Sequence, residues 1–340
     1  MKLKKQKKIH PLGKETPYAW VIELVHGCNL KCGHCSHALT SSTEFDFMEI
    51  KVWKAAWRII NKVSPTVRVD ICLSGEPTLH PDIVSFLKKA RKLAPLAQIQ
   101  ITTNGTMLRK GKVNYKELLD AGANIIYTDM YGPKEEFKEM AKASEYDWYE
   151  YYDAPEGAIS PWTYHNPDIK VIVLQEQPEN WPQSRYKAGL LGTWYNHLDW
   201  EAAKRFGLSP VITPPERRCN QPFVYVPVHV SGSYLLCCQD NWGETAGMFG
   251  QVQEGVKGFK RYWYSKELMT IRRRLRNKNR IDTSQCSRCN ITFSRCDYIY
   301  WKKNELNQYW TGTEWLNLPD QSITDPKWAL KEKAKKKGLL

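Results

Sequence analysis

Short apolar runs of strand character alternate with segments of helical spacing through the first half of the chain. The strand-like runs are residues 18–25, 67–73, 98–102, 124–130 and 169–174. Between them, 48–61, 81–93 and 113–121 carry apolar residues at helical intervals, the last closed by Gly122 as a C-cap. Such alternation implies parallel β/α units and an α/β class. A chain of 340 residues is long enough for one large domain or two ordinary ones.

Composition narrows the class further. Hydrophobic residues at 42% and charged residues at 25% describe a globular protein. No apolar run reaches about 18 residues, so no membrane-spanning helix is expected. The lysine-rich start has no apolar segment behind it and does not read as a secretory signal, so a cytoplasmic location is expected. Lys plus Arg at 50 against Asp plus Glu at 36 gives a net charge of +14, which favours an anionic partner such as nucleic acid.

Ten cysteines without an export signal argue for metal or redox chemistry over a disulfide framework. Cys28, Cys32 and Cys35 form a C-x3-C-x2-C group directly after the first strand. Three thiolates on one loop supply three corners of a tetrahedral or cubane site. Zinc wants a fourth protein ligand; an iron–sulfur cubane with three ligands leaves one iron open for a small molecule. Cys72 stands alone in an alternating strand and reads as a buried structural thiol.

The C-x3-C-x2-C group after a first strand resembles the radical S-adenosylmethionine (SAM) superfamily. Ser74-Gly75-Glu76-Pro77, at the end of the second strand, resembles the family's Gly-Gly-Glu-Pro turn, with Ser74 in place of the first Gly. Thr103-Asn104-Gly105-Thr106 resembles its Thr-Asn-Gly turn. The resemblance covers about residues 18–175 and implies a partial (β/α)6 barrel. It implies a [4Fe–4S] cluster on Cys28, Cys32 and Cys35 whose open iron chelates SAM. It implies that Ser74, Gly75 and Glu76 hold the SAM amine through backbone carbonyls and the carboxylate. His34 falls where the family prefers an aromatic near the adenine, and Asp129 where it places a polar side chain against the ribose. Asn104 and Asp129 also suit ordinary turn chemistry. Residues 146–164, rich in Tyr, Trp, Pro and Asp, are expected to form an irregular loop over the barrel mouth.

Residues 176–218, rich in Pro and Trp, read as a bridge. Beyond it come Cys219, two alternating stretches (223–230 and 234–238) around Ser231-Gly232-Ser233 that read as a hairpin, then Cys286, Cys289 and Cys296. This order resembles the SPASM/Twitch extension of radical SAM enzymes. It implies an auxiliary [4Fe–4S] cluster on Cys219, Cys237, Cys286 and Cys289 in a small domain over 219–300. Cys237 is preferred to Cys238 because the Gly232 spacing of that pattern fits it and neighbouring strand residues face opposite ways. Cys296 is an alternative to Cys289, and a structural zinc is the alternative to the cluster. Residues 1–17 and the end of the 301–340 segment read as basic tails.

Residues 257–280 concentrate lysines and arginines around Tyr262, Trp263 and Tyr264. Basic residues among aromatics suit a phosphate backbone and its bases; a solvated basic helix is the equal alternative. The resulting expectation is a radical SAM enzyme, with a flavodoxin- or ferredoxin-type reductant, that remodels a hypermodified thymine in DNA. The alternative is a Twitch-type enzyme acting on a peptide or small molecule. A zinc-bearing nucleic-acid-binding module is the remote one.

Overall fold

The computed structural model describes residues 17, 19–30, 44–151, 153–154, 168–176, 219, 221–238, 240, 243–280, 282–283, 286, 308–310 and 315–317. Expectations for His34, Cys32, Cys35, Cys289 and Cys296, for the 177–218 bridge and for the N-terminal tail lie outside these residues.

Strands β1 (Ala19–Ile22), β2 (Val25–His26) and β3 (Asp46–Phe47) precede helix α1 (Ile50–Val63). Then follow β4 (Arg68–Ile71), α2 (Ile83–Leu93), β5 (Gln98–Thr103), α3 (Thr106–Arg109), α4 (Tyr115–Asp120) and β6 (Ile125–Met130). Helix α5 (Lys134–Ala143), β7 (Asp147–Glu150) and β8 (Val171–Glu176) complete the alternation. The later chain adds α6 (Gln221–Val224), β9 (Tyr225–Val228), α7 (Gly255–Trp263) and α8 (Lys266–Arg276). A separate antiparallel pair joins β10 (Gln308–Trp310) to β11 (Trp315–Asn317).

The main sheet has the order β7-β8-β6-β5-β4-β1-β9, and every pairing in it is parallel. Successive side chains alternate across the sheet. Trp20, Ile22, Val69, Ile71, Ile99, Ile101, Ile126, Ile172, Leu174, Val226 and Val228 face one core, which the helices cover. Helices on a single face of a parallel sheet give the partial-barrel arrangement. Helix α1 shows why its sequence is helical: Val52, Trp53, Ala56, Trp57, Ile59 and Ile60 form one buried stripe. Burying Val52, Ile59 and Ile60 contributes about 1.5–3 kcal/mol each. The Trp53 indole N–H donates to Phe86 O at 2.8 Å and the Trp20 indole to Ser64 Oγ at 3.1 Å, so neither leaves a polar atom stranded.

Three expectations are corrected. Residues 147–150, read as irregular loop, are edge strand β7, paired parallel to β8. Residues 225–228, read as one arm of a hairpin in a separate small domain, pair parallel with β1 and extend the main sheet. The turn itself is present: His229 N donates to Ser233 O at 2.9 Å, Val228 bridges Tyr234, and Gly232 takes φ 88°. The basic segment is two helices whose aromatics are largely core. Tyr262 and Trp263 are each 1% exposed, and only Tyr264 faces solvent. Arg272 is fully buried, its guanidinium 4.0 Å from the Trp263 ring centroid, and Arg280 is buried as well. An apolar stripe at helical spacing explains the interleaving without any base-stacking role. Among the described residues, no helix is long and apolar enough to cross a membrane.

Candidate active site

Three strand ends meet at one point. The turn after β4 lies against the segment after β2: Glu76 N donates to Gly27 O at 2.9 Å. A Cβ on Gly75 would fall 1.8 Å from Val25 O and 2.9 Å from Gly27 O, so only glycine permits this approach. The turn after β5 joins through the Glu76 carboxylate. Its Oε1 accepts from Thr78 N (2.9 Å), Thr78 Oγ1 (2.5 Å) and Thr103 Oγ1 (2.7 Å), and its Oε2 from Asn104 N (2.7 Å). Burial pushes the Glu76 carboxyl above its ordinary value, against these donors. The Glu76 carboxylate thus binds the turns after β4 and β5 together from inside the protein.

Asn104 carries the junction to the cysteine loop. Its Oδ1 accepts from Thr106 N at 2.9 Å. Its Nδ2 donates to Asn29 Oδ1 at 3.0 Å and to Cys28 Sγ at 3.5 Å. Leu30 N also donates to Cys28 Sγ, at 3.4 Å. Two N–H groups aimed at one sulfur suit a thiolate ligand. Together with the glycine cradle at Gly75, the residues present fit a cluster-bound SAM. Asp129 stands half-buried on β6, its Cα opposite Gln175 of β8, one strand beyond the Asn104 turn.

The later cysteines divide. Cys219 and Cys286 share a small apolar cluster with Phe223, Val224 and Leu275. Cys238 packs instead beside Cys72 with Val21, Leu73 and Leu235, and its thiol donates to Gln221 Oε1 at 3.3 Å. Burial, with a smaller contribution from nearby Cys237, keeps the Tyr262 phenol protonated. Burial, then the Asp70 charge, pushes the Cys72 thiol far up, which suits an inert structural role.

The inner face of the sheet is polar. Arg68 Nε donates to Asp70 Oδ1 at 3.0 Å, Gln100 Nε2 to Thr102 Oγ1 at 2.9 Å, and the Tyr127 hydroxyl meets Gln175 Oε1. The buried atoms Arg68 Nη1 and Gln100 Oε1 have no hydrogen-bond partner among the described residues.

Sequence reasoning missed Glu23, His26 and His229. Glu23 is fully buried at the end of β1. It accepts from the Ser74 hydroxyl (2.5 Å) and from Val230 N (3.3 Å), and faces His26 Nδ1 (2.9 Å) and His229 Nε2 (3.5 Å). Burial alone would raise its pKa, but the His26 hydrogen bond and the two imidazoles hold the carboxyl below its ordinary value. The available signal was a lone acid inside the apolar run 19–25. Ser74, which replaces a glycine, acquires its reason here.

Residues 22–159 match the Radical SAM superfamily. The chain is 21% identical over 287 residues to the S-adenosyl-L-methionine-dependent 2-deoxy-scyllo-inosamine dehydrogenase of Niallia circulans, covering 82% of this chain and 96% of that protein. It is 30% identical over 118 residues to the PqqA peptide cyclase of Methylorubrum populi, where it spans only 29% of that relative's length. The crystal structure of BtrN in complex with AdoMet and 2-DOIA superposes with a TM-score of 0.57 at 18% identity, over 81% of this chain and 94% of that one. With its parallel partial barrel and its converging turns, the chain carries a radical SAM domain over residues 22–159, a family whose cofactors are SAM and a [4Fe–4S] cluster.

Proposed function

We propose that this radical SAM enzyme acts on a small polar molecule carrying hydroxyl or amino groups, held against the inner face of the sheet. The observation that carries this reading is the polar row on that face, with buried Arg68 Nη1 and Gln100 Oε1 left without a hydrogen-bond partner among the described residues. A buried polar atom costs about 1–3 kcal/mol when unpaired, so such a face selects a ligand that pairs it. Likeness to a dehydrogenase of an aminocyclitol over nearly that protein's whole length supports the same class.

In this reading Cys28, Cys32 and Cys35 hold the cluster, and His34 stands near the adenine. The backbone of Ser74 and Gly75 receives the SAM amine, Glu76 and Asn104 fix the three turns, and Asp129 lies toward the ribose. When bound, SAM and the reduced cluster supply a 5′-deoxyadenosyl radical that removes one hydrogen atom from the substrate. Cys219, Cys237, Cys286 and Cys289 hold an auxiliary [4Fe–4S] cluster, consistent with Cys219 and Cys286 sharing one apolar cluster. A flavodoxin- or ferredoxin-type protein delivers the electron in the cytoplasm.

The reading of a hypermodified thymine in DNA keeps only the exposed cations of α7 and α8, since Tyr262 and Trp263 are buried. Anaerobic reconstitution followed by product analysis separates the two. The protein should carry about eight irons per chain, against about four with one cluster. It should form 5′-deoxyadenosine from SAM under reduction, with a stoichiometric loss of two hydrogens from an aminocyclitol or related polyol. Turnover of DNA nucleosides, or of a peptide, with none of the polyols overturns the small-molecule reading.

A further inference from the structure

Glu23, His26 and His229 form the one group of three metal-competent side chains found among the described residues, their ligand atoms all within 4.8 Å of one another. Glu23 follows β1 and His26 closes β2 three residues on, while His229 follows β9, the strand added to β1 from far along the sequence, so only the sheet brings the third residue to the first two. Strand alternation directs Glu23 and His229 to the inner face, beside the SAM turn through Ser74.

The geometry points to a mononuclear site for a divalent first-row cation, bound by the Glu23 carboxylate, His26 Nδ1 and His229 Nε2. Ligand bonds of about 2.0–2.2 Å place neighbouring ligand atoms about 3.0 Å apart on an octahedron and about 3.4 Å apart on a tetrahedron. The observed separations are 2.9 Å for His26 Nδ1 to Glu23 Oε1 and 3.5 Å for His229 Nε2 to Glu23 Oε2. The outer shell is built as well. Ser231 Oγ lies 2.9 Å from His229 Nδ1 and can accept its N–H, the tautomer that leaves Nε2 a lone pair toward Glu23; the Ser231 N–H, 3.3 Å from Nδ1, favours the other tautomer, which the ion must displace. Ser74 and Val230 N fix the carboxylate.

Two histidines and one carboxylate leave coordination positions open, the pattern of a site that takes water or a substrate oxygen. On binding, the ion replaces the proton that His26 and Glu23 share, and that proton leaves to solvent. An ion there polarises a hydroxyl or carbonyl oxygen of whatever occupies the inner face. The site needs neither the iron–sulfur clusters nor any particular substrate.

The test uses anaerobically purified holoenzyme supplied with about one equivalent of zinc chloride, desalted, and analysed for zinc, iron and sulfide. Zinc K-edge absorption then reads the ligands. About one zinc per chain should be retained, with a first shell of nitrogen and oxygen at about 2.0–2.1 Å. His229→Ala and Glu23→Gln should each weaken retention by about tenfold or more, with iron and sulfide unchanged. The conservative His229→Gln, checked for a native melting profile, guards against a folding defect. Zinc on sulfur at about 2.3 Å, no retained zinc, or equal retention in the three variants overturns the site. Unaltered 5′-deoxyadenosine formation in those cases would leave the radical SAM assignment standing.

Discussion

The Asn104 backbone N–H donates to the buried Glu76 carboxylate at 2.7 Å, while the Asn104 side chain reaches Cys28 Sγ at 3.5 Å. One asparagine therefore couples the turn after β4 to Cys28. Glu76→Gln keeps the shape but turns an NH2 toward groups that are themselves donors. Stability should fall by about 1–3 kcal/mol, and SAM affinity should fall with it as the turns lose register. Anaerobic thermal denaturation and SAM titration calorimetry check both; unchanged SAM affinity would dissociate the carboxylate from the ligand site.

Gly75 and Gly111 separate two costs of adding a methyl group. At Gly111 nothing lies within 4 Å, and only the positive φ of +63° opposes a side chain. Gly111→Ala should cost about 1–2 kcal/mol and leave SAM cleavage intact. At Gly75 the methyl would sit 1.8 Å from a backbone oxygen. Gly75→Ala should therefore reduce 5′-deoxyadenosine formation by about tenfold or more, because the turn must move. Equal activity in the two variants would remove Gly75 from the site.

His80 is the cleaner handle on pH. Its ring packs between Phe47 and Phe86, and Nδ1 accepts from Asp82 N at 3.1 Å. Burial pushes its pKa below the ordinary 6.5. The unfolded chain takes up a proton as pH falls through 6.5, and the folded chain does not until lower pH. Stability should therefore decline as pH falls below about 6.5. His80→Gln should remove that decline between pH 7.5 and 5.5, measured by anaerobic urea denaturation followed by circular dichroism. Parallel curves for the two proteins would refute the assignment.

Arg272 and Arg273 are neighbours on α8 with opposite fates. Arg272 is buried over Trp263 and donates to Pro222 O (2.8 Å) and Trp263 O (2.6 Å), and burial pushes its pKa down to about 10. Arg273 faces solvent. Arg272→Ala leaves a cavity and two bare carbonyls and should cost about 2–4 kcal/mol. Arg273→Ala should stay within about 0.5 kcal/mol. Melting temperatures of the two variants decide it.

The strands at the centre of the sheet were legible because Val69 and Ile71, then Ile99 and Ile101, alternate with polar residues, and Ile125-Ile126 opens a further short run, each bounded by turns. Helix α1 was legible from its stripe. β7 was not: Asp-Trp-Tyr-Glu at a sheet edge carries neither an apolar run nor a hydrophobic alternation. β9 reads as a strand, but its partner is set by long-range pairing that local pattern does not encode. The same limit hid the Glu23 cluster, since His229 reaches Glu23 only through β9. Cys28, Gly75 and Asn104 were legible because each sits in a short motif at a strand end. The place of Glu76 at this junction was legible from its motif, but its pairing was not, because its donors Thr78 and Thr103 look like ordinary turn residues.

The position of β9 has a consequence for how the chain is made. Its contact with the β1 end joins residues 207 positions apart, Val230 to Glu23. A nascent chain that has emerged only as far as β8 carries a β1 edge with bare N–H and C=O groups, the surface on which strands of other chains assemble. That edge stays open through the synthesis of everything between β8 and β9, about ten seconds or less at usual elongation rates. A fragment ending before β9 would inherit the open edge permanently, and with it a tendency to aggregate that the intact fold suppresses.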